Sequence, residues 1–312
     1  MHPSIHAANK PEHPAIIMSG SGQRMSYAEL ESRSNQIAHA FRGIGLRAGD
    51  HIAFQLENCI EFMTIVIAAQ RAGLVYTAIS THLLQEEVAY IVANSQAKLL
   101  ITSPAFVDVA KATSGADGEL HRWLLRGEAD EFESFEAIVD AQTTTPIDDE
   151  EMGAQMLYSS GTTGYPKGVL STRKVGTPID QPHPMALMLV SAFGIGPEAC
   201  YLSPAPLYHA APLTFTTLVL TLGGTAVIME KFDAQQALAA IDQYQVTHSQ
   251  WVPIMFVRML KLPKQTREQF DLSSHQVAIH GAAPCPVDIK RQMIDWWGPR
   301  IAEYYASTEG AG

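Results

Sequence analysis

The chain has 312 residues, of which 46% are hydrophobic and 17% charged, ordinary proportions for a globular protein with room for a sizeable core in two subdomains. Its formal charge of −11 argues against non-specific nucleic-acid binding, which needs a basic surface. Three cysteines, Cys59, Cys200 and Cys285, share no metal-type spacing and leave one over, which favours free thiols in a reducing compartment.

The opening residues 1–14, MHPSIHAANKPEHP, contain no apolar run of the kind a signal peptide needs. Ser26 and Glu29 have the spacing of a capping box, and Leu30, Ile37, Phe41 and Ile44 recur at helical period, so the pattern predicts an amphipathic helix over 27–43. Gly49-Asp50 reads as a turn, and Ile52, Phe54 and Leu56 alternate as in a half-buried strand. Residues 60–72 are apolar nearly all round, which predicts a buried helix ending at Gly73. The stretch 59–69 is nonetheless too short to span a bilayer and carries Glu61, so a cytoplasmic protein with no transmembrane segment is expected. Strands follow at 74–79 and 98–102, with a helix at 85–92 between them. Alternation of this kind predicts a parallel sheet covered on both faces.

From 103 to 151 the periodic signal weakens. Residues 114–118 read as a loop, and the acidic stretch 143–152 as a solvated linker rather than a metal site. The Pro- and Gly-rich stretch 175–184 is expected to cross between subdomains. A second series then begins, with a helix at 185–193, a strand at 200–203, a buried helix at 213–222 and a strand at 225–229. Asp233 is expected to cap the next helix, with Gln236 in the reciprocal position. Strands at 247–252, 276–280 and 300–305 and helices at 254–262 and 287–297 complete the series. No solenoid-period repeat and no low-complexity segment is present.

The stretch 157–170, LYSSGTTGYPKGVL, sits between the two series. Ser159, Ser160, Gly161, Thr162, Thr163 and Gly164 are all Ser, Thr or Gly, and Lys167 follows three positions later. Small residues let the backbone approach a bulky anion, N–H groups and hydroxyls supply donors, and Lys167 adds a point charge suited to phosphate. A plain Ser/Gly surface loop is the bland alternative. The common nucleotide loop GxxxxGK[ST] is not matched, because Pro166 precedes Lys167, Gly168 follows it, and a strand-like segment comes next. The stretch closely resembles the signature loop of the adenylate-forming superfamily, which includes acyl-CoA synthetases, luciferases and peptide-synthetase adenylation domains. That pattern is close to [YF]TSGTTGxPKG. The chain departs from it by Ser159 for Thr, with Tyr165 at the variable site.

Three further segments resemble the same family in the right order. Pro206-Leu207-Tyr208-His209 is similar to its PL[FYP]H segment, whose His lies near the acyl pocket and reaction centre. Gly281-Ala282-Ala283-Pro284 is similar to its GAAP turn, which passes over the adenine and the acyl group. Tyr304-Tyr305-Ala306-Ser307-Thr308-Glu309 resembles YGxTE, with Ala306 for the usual Gly. There the aromatic packs on adenine, the Thr holds a phosphate and the Glu binds Mg²⁺, a hard cation suited to carboxylate oxygen. Taken alone, His209 reads more readily as a structural histidine, and 281–284 reads well as a plain turn.

The resemblance implies an α/β fold of two packed αβα subdomains with mostly parallel sheets, spanning about 57–175 and 15–56 plus 184–312. It implies ATP, Mg²⁺ and coenzyme A. A carboxylate attacks the α-phosphorus of ATP to give an acyl-adenylate and pyrophosphate, and a thiol then displaces AMP. Lys167 with 159–164 would hold the β- and γ-phosphates, while Thr308 and Glu309 would manage the α-phosphate and Mg²⁺. Lys167, His209, Thr308 and Glu309 are thus the expected catalytic group. Nucleotide contacts are expected from 159–164, Lys167, 281–284 and Tyr304–Thr308. The acyl pocket is expected to include His209, Trp251, Val252, Ile254 and Gly281. No carboxylate occurs from Pro204 to Gly224, so a substrate ammonium group would have no partner. A fatty, aromatic or other hydrophobic acid is the better expectation.

Complete members of that family continue with an Asp for the ribose, a β-barrel, a hinge and a domain bearing a catalytic Lys. On that resemblance the 312 residues are expected to form acyl-adenylate poorly, since one lost transition-state donor costs roughly 3 kcal/mol. Rival readings are a catalytically dead ATP- or acyl-binding module, an enzyme using a carrier-protein thiol, and a phosphate-releasing ATPase or kinase. The residues are compatible with a homodimer but do not call for one.

Overall fold

The computed structural model describes residues 2–159, 166–170, 176–181 and 184–306. In the first half the strands are β1 (Pro14–Met18), β2 (Arg24–Ser26), β3 (His51–Gln55), β4 (Val75–Ala78), β5 (Ala97–Thr102), β6 (His121–Leu124) and β7 (Glu133–Ser134). After them come β8 (Ala154–Ser159), β9 (Lys167–Leu170), β10 (Cys200–Ser203), β11 (Thr225–Ile228), β12 (His248–Trp251), β13 (Val277–His280) and β14 (Ile301–Glu303). The helices begin with α1 (Ser4–Asn9), α2 (Tyr27–Gly43), α3 (Ile60–Arg71), α4 (Gln85–Asn94), α5 (Val107–Lys111) and α6 (Phe135–Asp140). They continue with α7 (Pro184–Phe193), α8 (Ala210–Leu222), α9 (Ala234–Gln243), α10 (Pro253–Leu260), α11 (Lys264–Arg267) and α12 (Val287–Trp297).

The strands form two seven-stranded sheets, in the orders β14-β13-β12-β10-β11-β1-β2 and β7-β6-β5-β3-β4-β8-β9. Each is parallel apart from one edge hairpin, β1–β2 in the first sheet and β8–β9 in the second. Strand β3 lies at the centre of the second sheet, paired with β4 and β5. A subdomain boundary at 56/57 would therefore assign it to the wrong sheet. Its alternation is also misleading, because Ala53 and Gln55 are as buried as Ile52 and Phe54. A central parallel strand is covered on both faces, so its small and polar positions are core too.

Helices α2, α3 and α8 lie between the sheets. One core cluster joins Ile16, Ala226 and Ile228 of the first sheet to Ile52, Phe54 and Leu99 of the second, through Leu30, Phe62 and Leu213. Burial against both sheets explains why α3 is apolar all round. Helix α2 begins as its sequence implies: Glu29 N–H donates to Ser26 Oγ at 3.2 Å, and Ser26 N–H donates to Glu29 Oε2 at 2.7 Å. Asp233 caps α9 by accepting from the Gln235 and Gln236 amides at 3.0 and 2.9 Å. Among the described residues no helix is long and apolar enough to cross a membrane.

Two features between 103 and 152 have no clear sequence signal. Strand β6 carries Trp123, fully buried, stacked on Phe41 with centroids 5.8 Å apart and edge-on to Phe135. The acidic stretch 143–152 is not simply solvated. Asp149 meets Arg42 at 3.1 Å, and Glu150 lies 3.4 Å from the fully buried Arg71, which also pairs with Glu31 at 2.6 Å. Beyond it Gly153 immediately precedes β8, and a β-carbon there would stand 2.3 Å from the Leu74 carbonyl oxygen, so the close approach requires glycine.

Candidate active site

Strands β10, β12, β13 and β14 are parallel neighbours, so the segments following them share one edge of the first sheet. That edge receives Pro204–His209, Val252, Gly281–Pro286 and Tyr304–Ala306. Carboxyl ends of parallel strands are where ligands bind in open α/β sheets. His209, the 281–284 turn and the start of the Tyr304 segment are brought together there by topology alone.

Gly281 is buried against Tyr304: a β-carbon at 281 would stand 2.7 Å from Tyr304 Cε1. Ala282 has φ of +67°, a conformation costly for a residue with a β-carbon, and it sits in the middle of the candidate turn. Ala282, Ala283 and Pro284 are exposed. Gln250 Nε2 donates to Tyr304 Oη at 2.9 Å, and the Tyr304 ring lies 5.6 Å from that of Phe215 on α8. Tyr304 is thus built into the sheet face, whereas Tyr305 is 84% exposed. The two tyrosines, equivalent in the sequence reading, take different roles.

His209 is the N-cap residue of α8, with its ring 4.5 Å from that of Tyr208. Packing against the protein, and then repulsion from His82, lower its pKa below the usual imidazole value, so it is neutral at pH 7. His82 follows β4 in the second sheet and stands edge-on to Tyr208, with ring centroids 6.4 Å apart. At the end of β13, His280 is fully buried with no hydrogen-bond partner on either ring nitrogen. Its Nδ1 is 4.0 Å from Glu303, which is paired with Lys290. Burial first, then the Lys290 charge, lower its pKa.

Lys167 is exposed and opens β9, directly opposite Ser159 in the antiparallel register. The hairpin approaches α8, where Thr214 Oγ1 is 3.5 Å from Gln155 Oε1 of β8. Ser160, Gly161, Thr162, Thr163 and Gly164 lie outside the described residues, as do Ser307, Thr308 and Glu309. Among the described residues no cluster of three or more His, Cys, Asp or Glu side chains could hold a metal ion.

The residues expected in the acyl wall lie in different surroundings. Trp251 is fully buried on the opposite face of the sheet from Gln250, in a core with Phe256, Met293 and Trp297. Its indole N–H donates to Ser249 Oγ at 2.5 Å, which leaves the Ser249 hydroxyl proton for His275 Nε2 at 2.7 Å. That buried Ser–His pair is structural. Ile254, at the first turn of α10, is 54% exposed. The residue that does face Tyr304 is Gln250, and nothing in its strand, HSQW, singles it out from the polar residues before it. Asn58, whose amide reaches the 205–207 segment, had no signal beyond its place after a strand.

The fold is that of the fatty acyl-CoA synthetases. The family model "AMP-binding enzyme" matches residues 4–312, and the chain belongs to that family. It is 29% identical over 308 residues to a feruloyl-CoA synthase from Amycolatopsis sp, covering 98% of this chain and 59% of the relative. It is 26% identical over 312 residues to the long-chain-fatty-acid–CoA ligase FadD13 of Mycobacterium tuberculosis, again covering 98% and 59%. The N-terminal domain of FACL13 from Mycobacterium tuberculosis superposes with a TM-score of 0.84 at 25% identity, covering 98% of this chain and 75% of that one. The chain spans about three fifths of the length of the curated relatives it matches.

Proposed function

We propose that the chain serves ATP-dependent activation of a hydrophobic carboxylic acid, fatty or aromatic, to an acyl-adenylate and then to a CoA thioester. The observation that carries this reading is the carboxyl edge of the first sheet, where the strand order gathers His209 and the Gly281–Tyr304 contact; the hairpin bearing Lys167 approaches α8, the helix that His209 begins. An exposed lysine beside a Ser/Thr/Gly loop and a solvent-facing Tyr305 fit a polyphosphate and a purine ring respectively.

In this reading Lys167 and residues 159–164 neutralise the β- and γ-phosphates. Thr308 holds the α-phosphate. Glu309 would hold Mg²⁺, which would supply further charge neutralisation on the phosphates. The acid's carboxylate attacks the α-phosphorus and pyrophosphate departs. Neutral His209 orients the carboxylate without forming a charge pair that would blunt its nucleophilicity. Tyr304 keeps the 281 backbone in place while Tyr305 stacks on the base. The work is alignment and charge stabilisation. Two named relatives act on a feruloyl and on a long-chain fatty acyl group, which supports an apolar acid and coenzyme A as acceptor.

Calorimetry with ATP and ATP–pyrophosphate exchange across fatty and aromatic acids test the reading. ATP binding is expected, with exchange slow in the 312 residues and pyrophosphate the only phosphorus product besides AMP. Orthophosphate release would sink the proposal, and binding without exchange even after fusion to a relative's C-terminal region would leave a dead binding module.

A further inference from the structure

Asn58 lies in the loop after β3, at the carboxyl edge of the second sheet, and is 8% exposed. Its side chain reaches across to the first sheet. Nδ2 donates to the Ala205 carbonyl at 3.1 Å and to the Met229 carbonyl at 2.8 Å, and Oδ1 accepts from the Leu207 N–H at 2.8 Å. Both amide hydrogens and the oxygen are therefore engaged, and the targets fix which end is which, since carbonyls need donors and an N–H needs an acceptor. No other side chain of this length offers two donors and one acceptor: Asp has no donor, and Leu has neither.

The segment so held runs directly into His209. The His209 N–H donates to the Pro206 carbonyl at 3.2 Å, closing a turn in which Leu207 is fully buried and Tyr208 nearly so. His82, also from a loop of the second sheet, stands edge-on to Tyr208. The imidazole is thus carried by the first sheet but set in place by two residues of the second. We propose that Asn58 is the positioning residue for His209, clasping Ala205–Leu207 from the opposite sheet so that the imidazole keeps a fixed place on the edge shared with Gly281 and Tyr304. This rests on the reading of that edge as the adenylation site.

The test is heteronuclear NMR on the 312-residue chain and its N58A and N58D variants. Three readouts are followed: exchange of the Leu207 amide, ring contacts between His82 and Tyr208, and the His209 ring signals. N58A is expected to speed Leu207 exchange about tenfold, the order of one lost hydrogen bond. It should also abolish the His82–Tyr208 contact and shift His209, with protection at Phe54 and Val227 retained. N58D keeps an acceptor for Leu207 and is expected to exchange more slowly there than N58A. Simple destabilisation predicts the reverse order, because a buried carboxylate facing two carbonyls is the harsher change. That reverse order, a uniform loss of protection, or a His82–Tyr208 contact surviving in N58A would overturn the proposal. A parallel titration with ATP keeps the two readings apart. Failure of the native chain to bind ATP would strike the adenylation reading, while the NMR result would still decide whether the clasp exists.

Discussion

The ring of Tyr304 occupies the space into which residue 281 would project a side chain: a β-carbon there would stand 2.7 Å from Cε1 and 2.9 Å from Cζ. The contact couples the ends of β13 and β14, and Gln250 holds the phenol from β12. Gly281→Ala is expected to displace the ring or the turn and to cost about 1–3 kcal/mol, the usual range for overpacking. Tyr304→Phe should cost about 1 kcal/mol through the lost Gln250 bond. In the double variant with Tyr304→Ala, the Gly281→Ala penalty should largely vanish. Urea unfolding of the native chain, Gly281→Ala, Tyr304→Ala and the double variant measures this coupling, and additive penalties would show that the two residues are not coupled.

Lys167 is exposed at the mouth of the β8–β9 hairpin. Lys167→Ala should leave stability within about 0.5 kcal/mol while weakening ATP binding about tenfold or more, the loss of one charged phosphate contact. Calorimetry alongside thermal unfolding separates the two effects. An unchanged affinity in a stable variant would remove Lys167 from the phosphate site.

Arg71 is fully buried between Glu31 and Glu150. Its removal strands two partly buried carboxylates, so Arg71→Ala is expected to cost about 3 kcal/mol or more. Replacing the charges together, as in Arg71→Met with Glu31→Gln and Glu150→Gln, should recover part of that loss. A denaturant midpoint for Arg71→Ala close to that of the native chain would contradict this account.

His275 is buried beside Trp297 and Ser249, and burial lowers its pKa to about 3, with Arg300 adding to the shift. The folded imidazole therefore stays neutral while the unfolded one protonates near pH 6.5. Below that pH the unfolded state binds a proton that the folded state refuses. Stability is fully present above about 6.5 and falls as pH drops toward 3, by about 1.4 kcal/mol per pH unit for this one group. His275→Gln should reduce the slope of stability against pH over that window by roughly one proton. An unchanged slope would assign the acid sensitivity to other groups.

Much of the chain order was legible beforehand because its signals are local. The capping box at Ser26 and Glu29, the period of Leu30, Ile37 and Phe41, and the apolar continuity of 60–71 each lie within a few turns. The stretch 103–151 was not legible, since β6 and β7 are short and owe their place to Trp123 packing on Phe41, which is distant in sequence. The acidic residues 149 and 150 read as solvated because nothing nearby announces that Arg42 and Arg71 will meet them.

By itself the sequence determined the family, the order of the two βα series and the positions of the signature segments, all properties of residues close together along the chain. Only the tertiary structure decided which face of each strand serves the site. Alternation in β12 says that Gln250 and Trp251 point opposite ways but not which of them meets Tyr304; the order of neighbouring strands and the helix laid over each face settle that. The same holds for Asn58, whose partners Ala205 and Met229 lie 147 and 171 residues away, because hydrogen bonds across two sheets exist only once both sheets are built.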